Sequence, residues 1–201
     1  TIISARVQDP DGVDSVTLKL RVDPSPSLAS VAMLDNGTSG DAVSGDGIYS
    51  ATVSAGNGSR VAFTIEASDA AETSRFPEAP PAGVPPRECV IRFGQVTKPG
   101  TLASYMLWMT QTNVTRWTSI PGGNYSNEPH DLTFVYGNYR AIYNAGGRWR
   151  GNWRYYLSPV NAGAYSIHLP ERFMGRDEFK TDQPGQTGHD KTRMDEHYCY
   201  W

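Results

Sequence analysis

Three places in this chain hold residues whose types and spacing suit chemistry. The first is residues 35–49, DNGTSGDAVSGDGIY, which sets three aspartates and four glycines in fifteen positions. Carboxylates at that density can hold a hard divalent cation. An EF-hand register does not fit. Counted from Asp35, position 3 is Gly37 and position 12 is Asp46; counted from Asp41, positions 3 and 5 are Val43 and Gly45. A looser calcium site can be drawn from Asp41, Ser44 and Asp46. Turn chemistry accounts for the same residues, because Asn-Gly and Asp-Gly supply positive φ and Asp side chains bond their own backbone. The stretch is read as turns between strands, with the calcium site as the alternative. Nothing beside it pairs a nucleophile with a base, so no catalytic residue is assigned.

The second place is GGRWRGN, residues 146–152. It is not a Walker loop, since the Gly-Lys-Ser/Thr ending is missing. Arg148 and Arg150 occupy alternate positions, which on a strand is one face, where they can pair with acids or stack on aromatics. The third is His189, Asp190, His197 and Cys199. On a helix, His197 and Cys199 point about 200° apart, so they do not share one zinc ion. No Gly-x-Ser-x-Gly elbow is present, and Glu171, Asp177 and Glu178 read as a solvated charged loop.

The elements that must position these residues fall in two halves. In residues 1–76, SVTLKLRV alternates Val16, Leu18, Leu20 and Val22 against Thr17, Lys19 and Arg21. RVAFTIEA does the same with Val61, Phe63, Ile65 and Ala67, and IYSATV with Tyr49, Ala51 and Val53. Such patterning predicts half-buried antiparallel strands. Five or six of them, separated by Gly, Pro and Asp turns, predict an immunoglobulin-like β-sandwich lacking its first strand. FPEAPPAGVPP, residues 76–86, has five prolines and reads as an extended spacer; with a strand at 89–93 it makes a connecting segment over 77–100. From 101 to 201 the chain is aromatic-rich and reads as mixed α+β. Strands are expected in LASYMLWMTQ, on both sides of Gly137-Asn138, and in AYSIHLP. A short helix or turn is expected in TNVTRWTSI and a helix at GHDKTRMDEHYCYW. The overall fold class is mainly β.

A chain of 201 residues with net charge -3 has no general attraction for nucleic acid. No apolar run approaches the ~20 residues of a membrane span. Cys89 and Cys199 can pair, though lone buried thiols are the favoured reading. Four sequons, at Asn36, Asn57, Asn113 and Asn124, matter only in a eukaryotic secretory pathway. The sugar-binding alternative would use aromatics such as Trp108, Trp117, Trp149 and Trp153. Both ends read as cut, as in a piece of something longer.

MLDNGTSGDAVSGDGIYSATV, flanked by SVTLKLRV and VAFTIEASDA, resembles the immunoglobulin-like module found before the kinase-like domain in large secreted bacterial proteins of the spore-coat CotH family. YMLWMTQTNVTRWTS, YSNEPHDLTFVYGNYRAIYNAGGRWRGN, YSIHLPERFMGRDEFKTDQPG and HDKTRMDEHYCYW together resemble the opening third of a CotH-type domain. The resemblance implies an atypical protein kinase of the cell exterior. It would transfer phosphate from ATP, with Mg2+, to Ser or Thr of extracellular or coat proteins. Arg148, Arg150, Gly151 and Asn152 are similar to the family's Arg-Gly-Asn strand. There Arg150 would clamp phosphate oxygens, and Gly151 would allow close backbone approach. The family's Pro-Lys-Lys-Ser-Tyr-like stretch finds no lysine in YLSPVNAGAYSIHLP. Its magnesium and catalytic carboxylates are expected beyond Trp201, in the remainder of the chain, so residues 1–201 alone are expected to be inactive. The rival expectation is a non-catalytic adhesion or carbohydrate-binding module.

Overall fold

A computed structural model describes residues 1–95, 104–119, 129–138, 140–149, 165–181 and 198–200. The chain divides into two compact units, Thr1–Gly94 and Gln95–Trp201. Both are mainly β; the alternation predicts this for the first unit, while the second, read as mixed α+β, has one short helix beside six strands among the described residues.

The first unit contains β1 (Ile2–Arg6), β2 (Ser15–Asp23), β3 (Ala29–Met33), β4 (Ile48–Thr52), β5 (Arg60–Ser68), β6 (Thr73–Phe76) and β7 (Cys89–Arg92). Strands β1 and β4 form an antiparallel pair, and β3-β2-β5-β6 form a second sheet in which β7 also pairs with β5. The register sets Leu18 against Ile65 and Leu20 against Phe63. Leu18, Val61 and Phe63 are almost wholly buried, each contributing roughly 1.5–3 kcal/mol of apolar transfer energy. The alternation fails at the end of β2. There Val22 is exposed and its neighbour Asp23 is buried, because Asp23 belongs to an ion cluster.

Strands β6 and β7 lie end to end along one edge of β5, β6 against Ile65–Ser68 and β7 against Arg60–Phe63. The proline-rich stretch is therefore an excursion within the first unit, between two pieces of one edge, and the division at Gly94 comes after β7. Both ends of the excursion are tied down. Arg75 donates to the carbonyls of Pro77 (2.8 Å) and Arg87 (3.0 Å). Glu88 accepts two bonds from the Arg21 guanidinium, at 2.7 and 2.6 Å. Arg21 also reaches Asp23 at 3.2 Å, and Arg60 reaches the other Asp23 oxygen at 3.2 Å. The Asp23 side chain is fully enclosed and meets both cations.

The second unit contains β8 (Ser104–Trp108), α1 (Gln111–Thr118), β9 (His130–Tyr136), β10 (Arg140–Trp149), β11 (Tyr165–Phe173), β12 (Arg176–Thr181) and β13 (Tyr198–Tyr200). Among the described residues its sheet runs β12-β11-β10-β9-β8-β13. It is an antiparallel meander except at β13, which pairs parallel with β8. The helix expected over the last residues is thus corrected at Tyr198–Tyr200, where pairing to Ser104–Met106 prevails over helical spacing. The acids read as a charged loop also lie on strands. Glu171 is on β11, bonded to Arg140 at 2.7 Å, and Asp177 and Glu178 are on β12.

One face of this sheet carries Tyr105, Leu107, Leu132, Phe134, Ile142, Ile167, Phe173 and Phe179 in a single core. Its rings meet at 5.1–6.2 Å in tilted, stacked and edge-on pairs. Helix α1 closes the core. Thr110 caps it by accepting from the Asn113 N–H, Asn113 donates to the Asp131 carbonyl at 3.1 Å, and Trp117 stacks on His130. A bulge in β10 falls between Ile142 and Ala145, with Asn144 at φ 57°. No helix among the described residues is long and apolar enough to cross a membrane.

Glu88→Ala leaves the Arg21 guanidinium without its two-point partner in a site only 11–12% exposed. It is expected to destabilise the first unit by about 3 kcal/mol. Urea unfolding of the chain reads this directly, and a loss below about 0.5 kcal/mol, the level of an ordinary surface change, would show that the cluster does not anchor the excursion.

Candidate functional site

Residues 35–47 link the end of β3 to β4, and their shape follows from three carboxylates bonding backbone N–H groups. One Asp35 oxygen accepts from Gly45 (2.6 Å) and Asp46 (3.2 Å), and the other from Gly47 (3.0 Å). Asp41 accepts from Gly37 at 2.6 Å and Asp46 from Ile48 at 2.9 Å. The Asp41 N–H donates to the Thr38 carbonyl. The loop is held on the body by Thr52, whose hydroxyl donates to the Ser39 carbonyl at 3.0 Å, and by Gly40. A Cβ on Gly40, whose φ is 103°, would press within 3.1–3.2 Å of Ile2 and Thr52. These bonds are the turn chemistry that the Asp/Gly spacing implies.

The same fold brings one oxygen each of Asp35, Asp41 and Asp46 within 4.8 Å of one another, a group that could hold a metal ion. Asp41 is buried, and the other two are half-buried. Oxygens are the donors that hard divalent cations prefer. Two of these carboxylates, Asp41 and Asp46, were expected as ligands. Asp35 is the third carboxylate that the fold adds, and in the sequence it stands out only as a first EF-hand position whose register fails. Ser44 is exposed beside them.

In the second unit, Arg148 of β10 lies opposite Ser166 of β11, which lies opposite Lys180 of β12. Directly paired residues share a face, and strands are about 4.8 Å apart, so the three form a row roughly 10 Å long. The adjacent row, Gly147–Ile167–Phe179, faces the core, so Arg148 and Lys180 are on the opposite face. Glu178 organises the row. It accepts from the Ser166 hydroxyl at 2.7 Å and meets the Lys180 ammonium at 2.9 Å, with His168 at 3.6 Å. The bond from Lys180, followed by that from Ser166, holds the Glu178 carboxyl below the usual carboxylate range. Chemically the arrangement is a row that carries two cationic residues on one face, with the Lys180 ammonium held in place by Glu178, a type of surface that can meet an anion with several oxygens.

Arg150, Gly151 and Asn152 lie outside the described residues, as do His189, Asp190 and His197. Lys180 is a residue that the sequence pattern missed. Its only signal was the short alternation Glu178-Phe179-Lys180. The two glycines before Arg148 have a packing reason. A Cβ on Gly147 would come within 2.6 Å of Leu132 and 2.8 Å of Trp117, and one on Gly146 within 2.8 Å of Pro129. Trp117 is buried in the core, which removes it from any sugar-binding surface.

Comparison with protein-family models, curated proteins and solved structures finds no match to this chain.

Lys180→Met removes the largest influence on Glu178, so the carboxyl is expected to titrate higher, towards its ordinary range. Because the fold lowers this pKa, Glu178 stabilises the protein above its unfolded-state pKa and loses that contribution as pH falls through the folded value. An NMR titration of the Glu178 side chain checks the point; an unchanged midpoint in the variant would dismiss the Lys180 contact.

Proposed function

We propose that the chain is the front portion of a secreted, CotH-like protein kinase, with an immunoglobulin-like spacer before the start of a kinase-like domain. The complete protein would transfer phosphate from ATP, with Mg2+, to Ser or Thr of extracellular or coat proteins. The observation that carries the reading is the row Arg148–Ser166–Lys180. The family's pattern asks for a lysine soon after the Arg-Gly-Asn strand, and the sequence there has none. Sheet register supplies one from two strands away, with Glu178 orienting its ammonium. Arg148 and Lys180 would grip phosphate oxygens, and Arg150 would join them from the segment that follows β10. Magnesium would be held by carboxylates beyond Trp201. The experiment is nucleotide–magnesium binding by the protein, with Arg148→Met and Lys180→Met variants. Each lost charge-assisted contact is expected to weaken binding roughly 10- to 100-fold. Binding of ATP that neither variant alters, or binding of a polysaccharide and no nucleotide, would replace this reading with the adhesion-module one.

A second reading concerns the first unit and rests on its own observation, the approach of Asp35, Asp41 and Asp46 within 4.8 Å. These carboxylates would take a calcium ion that staples the loop to the end of β3 and the start of β4. Extracellular modules bind calcium with dissociation constants of about 10⁻⁴–10⁻³ M. Calcium at ten times such a constant is expected to stabilise the first unit by about 1.4 kcal/mol, reversed by chelator and lost in Asp35→Asn. A thermal melt that is identical with calcium and with chelator would leave the loop as turns alone.

A further inference from the structure

Asn36-Gly37 is one of two Asn-Gly pairs in the chain, the other being Asn57-Gly58. The structure surrounds the two pairs very differently. At the first, the Gly37 N–H donates to Asp41 Oδ2 at 2.6 Å, a short contact to a carboxylate that is itself buried. The Asn36 side-chain carbonyl accepts two bonds, from the Thr38 N–H at 3.0 Å and the Thr38 hydroxyl at 2.7 Å. Asn36 and Gly37 are exposed to water. The amide nitrogen next to the carboxamide thus faces a base, and the carboxamide oxygen faces two donors.

We propose that this loop converts its own Asn36, through a succinimide, to aspartate and isoaspartate. The Gly37 nitrogen bonds to Asn36 Cγ while its proton passes to Asp41 Oδ2. The two Thr38 donors stabilise the negative charge that gathers on Oδ1. The Cγ–Nδ2 bond then breaks, and Asp41 returns the proton to the leaving nitrogen, which departs as ammonia. Water opens the ring at either carbonyl. The sum is asparagine plus water giving aspartate or isoaspartate plus ammonia, with no oxidant or cofactor. Glycine at 37 has no Cβ to obstruct ring closure. The Asp41 N–H bond to Thr38 and the seat of Gly40 against Ile2 and Thr52 hold base and donors in place before the reaction begins.

Asn57-Gly58 has none of this. The Gly58 N–H donates to the Phe93 backbone carbonyl at 2.9 Å, a far weaker base. The Asn57 side chain lies so close to Gly94 that a Cβ there would come within 1.3 Å of its oxygen. This second pair is an internal reference inside the same unit.

The experiment incubates the full chain at neutral pH with chelator present, and follows both peptides by digestion and mass spectrometry. The readouts are the mass change for NH2 replaced by OH, and an isoaspartate assay. Asn36 is expected to convert faster in the folded protein than in the same chain in urea, while Asn57 converts more slowly folded than unfolded. Asp41→Asn is expected to slow Asn36 by roughly 100-fold, the lower end of a positioned base's contribution. Thr38→Val, which removes the hydroxyl donor alone, gives a smaller decrease. A variant that merely unfolds is recognised because Asn57 rises to its rate in urea, and Thr38→Val then serves in its place. Conversion of Asn36 that is slower in the folded chain than in urea, or unchanged in a folded Asp41→Asn, would overturn the proposal.

Discussion

Strand β5 has two edges, and the one that β2 leaves open must be covered by something short enough to leave room for an excursion. Two strands cover it, β6 on one half and β7 on the other. What keeps the second of them in line is charge in a restricted space. Arg21 binds Glu88 immediately before β7 begins, and Asp23, enclosed between Arg21 and Arg60, ties that contact to β2 and β5 together. Enclosed ions of this kind contribute little net energy over an apolar equivalent, but removing one partner is costly, so they favour one arrangement over its neighbours. The prolines of residues 77–88 fit the same requirement. A segment without donors at several positions does not compete for the β5 edge that its two ends must flank.

The second unit uses shape where the first uses charge. Trp117 packs over β10 at Gly147, where a Cβ would come within 2.8 Å of its ring, and its stack on His130 ties helix α1 to β9. The aromatic core then holds Ile167 and Phe179 on one side of β11 and β12, which sets Ser166 and Lys180 on the other. Packing of rings on one face thereby decides the spacing of cations on the opposite one. The residues that look most chemical in the sequence, the glycines of GGRWRGN, are thus required first by the core.

Much of this was legible in advance, for physical reasons that can be named. Val16, Leu18, Phe63 and Ile65 alternate because their strands have one covered face, and they are buried as that pattern implies. Turn residues between 35 and 49 read as turns because Asp and Gly act locally, within a few positions. Pairings that depend on distant residues were not legible. Nothing near Cys89 says that it will lie opposite Phe63, so residues 76–86 read as an extended spacer and 77–100 as a connecting segment. Lys180 joins Arg148 only through two registers, and Tyr198–Tyr200 take strand geometry from β8 in spite of helical spacing. The carboxylate trio was half legible: Asp41 and Asp46 were seen, and Asp35 enters because it bonds three N–H groups on the far side of the loop.

The bulge at Ile142–Ala145 acts as a phase change along β10. Before it, even-numbered positions such as Ile142 turn to the core; after it, odd-numbered ones do, Ala145 and Gly147 among them. Arg148 is even-numbered. In an unbroken strand it would share the parity of Ile142 and point its guanidinium into the aromatic rings. The surface address of Arg148 is therefore written several residues upstream, at Asn144, whose left-handed backbone absorbs the extra residue. A length change of one residue in that bend exchanges inside and outside for all that follows on the strand, without altering a single residue of the GGRWRGN segment.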